Sequence, residues 1–151
     1  MRAILQRVKR AQVEIDGKSV ASVGSGYLIL LGVCGEDTAH QAEVLAAKTA
    51  VLRVFEDENG KLNRSLLDVG GSALVVSNFT LYADCKKGRR PSFVQAGDPK
   101  HAEELYEYFC EQLVQQGIGD VQTGRFGADM QVTLTNDGPV TIILDTKELT
   151  A

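Results

Sequence analysis

The sequence predicts an α+β domain: a mainly antiparallel, barrel-like or sandwiched β-sheet with two principal helices. Three observations lead there. β-rich runs outnumber helical ones. The two segments with helical periodicity, one after Asp37 and one after Asp98, are embedded in β-rich chain, in the order β-rich, helix, β, helix, β-rich. And 44% of the 151 residues are hydrophobic, enough for one core. No internal repeat, linker or low-complexity tail divides the chain, so residues 1–151 are expected to form a single domain.

Taken in order, Ala3–Val8 alternates and reads as a strand, and Ala11–Ile15 reads as a second. Asp16–Gly17 is a two-residue turn signal, which makes Ser19–Val23 the return strand of a hairpin. Tyr27–Val33 is continuously apolar, as expected of a strand buried on both faces. Asp37 is placed to cap a helix beginning Thr38–Ala39–His40. Its buried face would carry Val44, Leu45, Val51, Leu52 and Phe55, and it should end near Phe55. Asp57–Gly60 is a turn, and Gly70–Gly71 marks a break. Ala73–Tyr82 is β-rich with polar residues in its second half. Residues 83–96 form a loop. Asp98 caps the second helix, with Pro99 at its first position and Gly117 at its end. Its stripe is Ala102, Leu105, Phe109, Cys110, Leu113 and Val114. Val121–Phe126 and Ala128–Thr135 then read as strands around Gly127.

The last β-rich stretch holds Val132, Leu134, Val140, Ile142 and Leu144 on either side of Asn136–Asp137–Gly138–Pro139. Spacing alone reads this as a hairpin. One detail resists it. Gly–Pro at a strand entrance removes a backbone donor and leaves carbonyls on a segment almost without side chain. Such a segment can approach a ligand closely.

Composition excludes several functions. The net charge of −4 gives no global basic field for nucleic acid. Cys34, Cys85 and Cys110 are odd in number and lack CxxC spacing, so neither a disulfide scaffold nor a zinc site is indicated, and a cytoplasmic location is expected. No apolar run is long enough to span a membrane, and the N-terminus lacks a signal-peptide pattern. His40 and His101, near predicted helix starts, read as solvated. Neither lies beside a nucleophile in any recognisable triad spacing. No nucleotide-binding glycine motif and no metal-ligand cluster occurs, so no cofactor or metal is expected. Paired acids such as Asp57–Glu58 and Glu103–Glu104 read as solvated. An enzyme built from this chain must therefore rely on backbone donors, hydroxyls and positioning.

Three features remain. Ser77–Asn78–Phe79–Thr80–Leu81 interrupts a strand with hydroxyls and an amide, or simply ends it. Lys86–Arg90 is a basic run, ordinarily a solvated loop, but beside a polar pocket able to hold a phosphate backbone. The third is Asn136–Pro139. Without further information, a non-catalytic RNA-binding module using the basic loop and a small-molecule binding domain stand beside the enzyme reading.

Together these residues resemble the D-aminoacyl-tRNA deacylase (D-Tyr-tRNA deacylase) family. The resemblance runs from Met1–Val8 through Leu30–Val33, Ser77–Leu81, Gly88–Phe93 and Gly124–Met130 to Asn136–Thr141. It implies hydrolysis of the ester joining a D-amino acid, or glycine, to the 3′-terminal ribose of tRNA. It implies a homodimer with active sites at the subunit interface. By position Ser77, Asn78, Phe79, Thr80 and Leu81 match a pocket-lining motif, and Phe126 and Met130 fall among the substrate-binding positions. Gly138–Pro139 matches a cis pair that reaches into the partner's pocket, beside Asn136, and Arg7 matches the arginine that steadies it. The family usually carries glutamine at Asn78, one methylene longer. The Phe79 and Thr80 backbone N–H groups are the expected oxyanion donors. Thr80 is the side chain best placed to orient the chemistry.

Overall fold

The computed structural model describes residues 1–149. It is an α+β fold whose large sheet is mixed and curls toward a barrel. The sheet is organised by one strand, β1 (Arg2–Ile15), where the sequence suggests two. Along one edge β1 pairs antiparallel with the C-terminal strand β8 (Gln131–Asp145). Along the other it pairs antiparallel with β3 (Gly26–Gly32) over Arg2–Val8, then with β2 (Lys18–Val23) over Ala11–Ile15. The exposed pair Lys9–Arg10 marks that change of neighbour. The buried positions also change parity there, from Val8 to Ala11 and Val13. Lys9 is an extra residue opposite β8, where Val8 pairs Asn136 and Arg10 pairs Thr135. An extra residue of this kind turns the other set of side chains inward without ending the strand.

β3 continues into parallel pairing with β6 (Ser72–Ser77), and β6 with β7 (Val121–Thr123). The Ser22 N–H donates to Gln122 Oε1 at 3.0 Å, linking β2 to β7 and drawing the sheet round. β4 (Phe55–Glu56) and β5 (Leu62–Arg64) form a separate two-stranded piece.

Alternation along β3 and β6 divides the core in two. Tyr27, Ile29, Leu31, Ala73 and Val75 face the helices. Leu28, Leu74 and Val76 face inward, against Val8, Val13 and Val23. The apolar run of β3 is thus explained by burial on both faces.

Helix α1 (Ala39–Val51) packs on this sheet beside the third helix, α3 (Pro99–Gln115). A short α2 (Leu66–Val69) lies between them in sequence, capped by Ser65. Asp98 and Pro99 start α3 as expected, and its buried stripe is Ala102, Leu105, Tyr106, Phe109 and Leu113. Val114 is exposed instead. Full burial of Phe109 contributes roughly 3 kcal/mol.

α1 departs from expectation at both ends. Thr38, not Asp37, caps it, in a reciprocal box with Gln41. The Asp37 carboxylate is buried and accepts from the Met1 ammonium at 2.7 Å and the Cys34 N–H at 2.7 Å. The helix stops at Val51, and its buried face is Ala42, Leu45, Ala46, Thr49 and Ala50. After Val51 the chain leaves the helix, the Val54 N–H donating to Leu52 O at 3.2 Å, and the Val54 carbonyl is free for Arg7.

The expected hairpin at Asn136–Pro139 is not formed. Both flanks belong to β8 and pair with the same strand, β1, in one direction. Gln6 pairs with Thr141 and Val8 with Asn136, so four residues, Asp137 to Val140, stand opposite the single residue Arg7. A 14-residue template on one side holds both halves of β8, and the chain need not reverse. The strand expected at Ala128 starts at Gln131, because Arg125–Ala128 closes as a turn with Gly127 at φ 77°.

Candidate active site

β6 delivers the first part of the site. Its parallel pairing with β3 runs through Ser77 and ends where the Asn78 N–H donates to Leu31 O at 2.8 Å. The chain then tightens into a 3-10 turn, Phe79–Tyr82. Gly32 allows that turn to lie on β3, since a Cβ there would sit 3.0 Å from Leu81 Cβ. Asn78 caps the turn. Its Oδ1 accepts from the Thr80 N–H at 3.2 Å and from the Thr80 hydroxyl in a short contact. The shorter amide therefore turns back on its own chain.

The Thr80 N–H is engaged by Asn78. The Phe79 N–H has no hydrogen-bond partner among the described residues. The Thr80 hydroxyl, donating to Asn78, keeps its lone pairs available to accept.

Ser77, Asn78 and Phe79 open onto a cleft of about 660 Å³ that Phe126 and Met130 also line. Phe93, from the loop that carries the basic run, also lines it, its ring 5.0 Å from Phe79 and nearly edge-on. None of the residues lining the cleft is ionisable. Tyr106 packs against the lining residue Phe126, ring centroids 6.0 Å apart. Burial pushes the Tyr106 hydroxyl well above its ordinary range, and it donates to Val75 O at 3.1 Å. Burial, with Glu107 and Glu111 nearby, pushes the Cys110 thiol up to about 12. Such a cleft binds an apolar or aromatic group and offers a backbone donor, not a base.

The second part of the site stands on β8. Gly138 and Pro139 are exposed, and the bond between them is cis. Gly138 has φ 131°, and a Cβ there would come within 2.9 Å of Val140 N and 3.3 Å of Arg7 Nη2, so only glycine fits. Arg7, 5% exposed, lies beneath. Its Nε donates to Asp137 O at 3.0 Å and its Nη1 to Val54 O at 2.8 Å, with the Glu56 and Asp137 carboxylates at 3.6 Å.

The sequence reading missed the other half of this support. Asn136 Nδ2 donates to Gln6 Oε1 at 2.7 Å and to Thr141 Oγ1 at 3.3 Å, and the Thr141 hydroxyl also donates to Gln6 Oε1. The Val140 N–H returns to Asn136 Oδ1 at 3.2 Å. Asn136 thus binds both strands at the foot of the excursion. Gln6 carried no signal in sequence, because its partners lie 130 and 135 residues away.

Arg2 connects the two parts. Its Nη1 donates to Leu81 O at 2.8 Å, its Nε to Asp145 Oδ2 at 2.8 Å, and its guanidinium lies 4.6 Å over the Tyr82 ring. His101 is not simply solvated either, since its Nε2 lies 2.8 Å from Asp37 O. His40 is exposed. Of the residues singled out in sequence, Ser77, Asn78, Phe79, Phe126 and Met130 meet at the cleft. Asn136, Gly138 and Pro139 of β8 meet Arg7 of β1, and none of the four lines the cleft. Thr80 sits exposed at the rim turn, tied to Asn78.

This fold, with a cleft lined by no ionisable side chain, is that of a family of hydrolases. The family description D-Tyr-tRNA(Tyr) deacylase matches residues 4–145. The D-aminoacyl-tRNA deacylase of Thermus aquaticus is 57% identical over 98% of this chain and 97% of its own. That of Thermomicrobium roseum is 60% identical over 99% and 96%. A solved structure titled c-Myc DNA Unwinding Element Binding Protein is 43% identical, covers 96% of this chain and 98% of its own, and superposes with a TM-score of 0.91. The chain belongs to the D-Tyr-tRNA(Tyr) deacylase family and is an enzyme of the D-aminoacyl-tRNA deacylase kind.

Proposed function

We propose that the protein hydrolyses the ester of D-aminoacyl-tRNA, and of mischarged glycyl-tRNA, in the cytoplasm. In this reading it acts as a homodimer, with Gly138–Pro139 of one subunit entering the cleft of the other. The observation that carries this is the separation of the two parts of the site. The Asp137–Val140 excursion is exposed and held from below by Arg7, yet it does not line its own chain's cleft. A second copy supplies the missing wall of each. β8 pairs only with β1 among the described residues, so its outer edge is open to a partner.

The terminal adenosine and the aminoacyl group occupy the cleft between Phe79, Phe93, Phe126 and Met130. The Phe79 N–H faces the ester carbonyl and stabilises the developing oxyanion. One such donor typically supplies roughly 2.7–4 kcal/mol of transition-state stabilisation. Water attacks, assisted by the substrate's own 2′-hydroxyl, and the Thr80 hydroxyl orients that group by accepting from it. Carbonyls of Gly138–Pro139 accept from the substrate ammonium. An L side chain then meets backbone, whereas D-residues and glycine fit. Discrimination by such a clash ignores side-chain identity.

Incubating the protein with D-Tyr-tRNA, L-Tyr-tRNA and Gly-tRNA and following ester loss tests this. Loss of the D- and glycyl esters alone is expected. Hydrolysis of the L-ester at a similar rate excludes the chirality filter, and binding without turnover restores the RNA-binding module.

A further inference from the structure

The densest run of cations in the chain has no ion-pair partner among the described residues. Lys86, Lys87, Arg89 and Arg90 fall within five residues of a chain whose net charge is −4, and all four are exposed. Among the described residues none of them forms an ion pair. The nearest carboxylate in sequence, Asp84, is turned to the Lys86 backbone N–H at 3.0 Å. The run is nevertheless held in shape. Asp84 and Ser92 exchange backbone hydrogen bonds of 2.7 and 2.9 Å, which closes the foot of the loop, and Gly88 turns its tip with φ 69°. Directly after the foot comes Phe93, which lines the cleft and packs on Phe79. The cations therefore stand on a short arm rooted at the rim of the site.

Four like charges on a closed loop repel one another, and only counterions or a polyanion relieve that repulsion. We infer that this arm is a phosphate-binding site for the acceptor strand of tRNA leading into the cleft. This rests on the function proposed above. Five residues reach at most roughly 17 Å, which confines the contacts to the few nucleotides nearest the ester. Cations that meet only the phosphate backbone add affinity without reading sequence.

The test compares the full chain with K86Q/K87Q/R89Q/R90Q and with a charge-retaining K86R/K87R/R89K/R90K. Anisotropy with uncharged tRNA across a salt series reads binding without chemistry. Each cation on single-stranded phosphate contributes about 0.7 to the slope of log affinity against log salt. The expected result is a slope lower by about 3 in the glutamine variant and retained in the swapped one. Steady-state hydrolysis of D-Tyr-tRNA should show KM raised at least tenfold with kcat little changed. D-Tyr-adenosine, which lacks the phosphates, should show no such loss. A thermal scan confirms that the variants are folded. An unchanged salt slope overturns the inference, as does an equal loss on D-Tyr-adenosine. If the native chain fails to cleave D-Tyr-tRNA, the catalytic reading fails, while the anisotropy slopes still decide the arm.

Discussion

Arg7 Nε donates to the Asp137 carbonyl at 3.0 Å, from a side chain that is 5% exposed. One guanidinium thereby ties the chain that follows α1, through Val54 O, to the residue before Gly138. Lysine cannot make both bonds in fixed directions. Arg7→Lys should therefore stay folded, lose about 1–3 kcal/mol in urea unfolding, and cleave D-Tyr-tRNA more slowly. Its rejection of L-Tyr-tRNA should weaken as well. Native rates and native chiral selectivity in this variant would remove Arg7 from the support of the excursion.

Asn78 Oδ1 holds both the N–H and the hydroxyl of Thr80. Asn78→Ala frees that hydroxyl to rotate. Misplacing a reacting group by an ångström can cost about a hundredfold in rate. We expect a kcat decrease approaching that in Asn78→Ala and in Thr80→Ala, with little change in thermal midpoint, since both residues lie at the surface turn. Single-turnover assays separate the chemical step from binding. A change in KM alone would mean that the pair binds substrate without orienting it.

Gln6 Oε1 accepts from Asn136 and Thr141, one on each side of the excursion. Gln6→Ala removes that shared acceptor and should lower D-Tyr-tRNA turnover roughly tenfold, about 1.4 kcal/mol. Thr141→Val, which removes one donor only, should do less. Equal rates in all three proteins would show that Arg7 alone suffices.

Asp145 gives a pH signature. Burial pushes its carboxyl up, but the Arg2 hydrogen bond and the Lys147 N–H outweigh this and hold it below the ordinary range. A folded value below the unfolded one adds stability above the unfolded value, about 3.9, and loses it as pH falls through the folded value. Asp145→Asn should cost about 1 kcal/mol at pH 7, and the two stabilities should converge in acid. Urea midpoints from pH 7 to pH 2 check this. A gap that persists at pH 2 would assign the effect to packing.

The Met1 ammonium and the Asp37 carboxylate are both buried, 2.7 Å apart. Removing one member of such a pair strands the other. Asp37→Ala should cost about 3–5 kcal/mol, read as a lowered urea midpoint at unchanged slope. A loss under 1 kcal/mol would show that water and the existing 2.7 Å bond to Thr146 Oγ1 satisfy the ammonium without Asp37.

Local patterns made much of the fold legible. The double-sided burial of β3 followed from its apolar run, the start of α3 from Asp98 and Pro99, and the first hairpin from Asp16–Gly17. The end of α1 was not legible, because Leu52, Val54 and Phe55 are as apolar as a helix face would be. They leave the helix for a tertiary reason: Val54 O serves Arg7, and Phe55 packs on Tyr27 with ring centroids 5.2 Å apart. Asp37 has the chemistry of a cap, yet the buried ammonium of Met1, 36 residues earlier, claims it.

For the site, residue types alone determined that neither histidine falls in triad spacing with a nucleophile, that Ser77–Thr80 ends a strand with polar groups, and that Gly138–Pro139 is backbone almost without side chain. Whether that backbone turned a hairpin or stood out from a continuous strand was decided only in three dimensions. β1 is long enough to pair with both halves of β8, so the chain runs on past Asn136, and the four residues that do not fit the register are lifted out over Arg7. Turn propensity is a property of four neighbours. Register is a property of two strands more than a hundred residues apart, and it prevailed because it engages many backbone groups where a turn engages few.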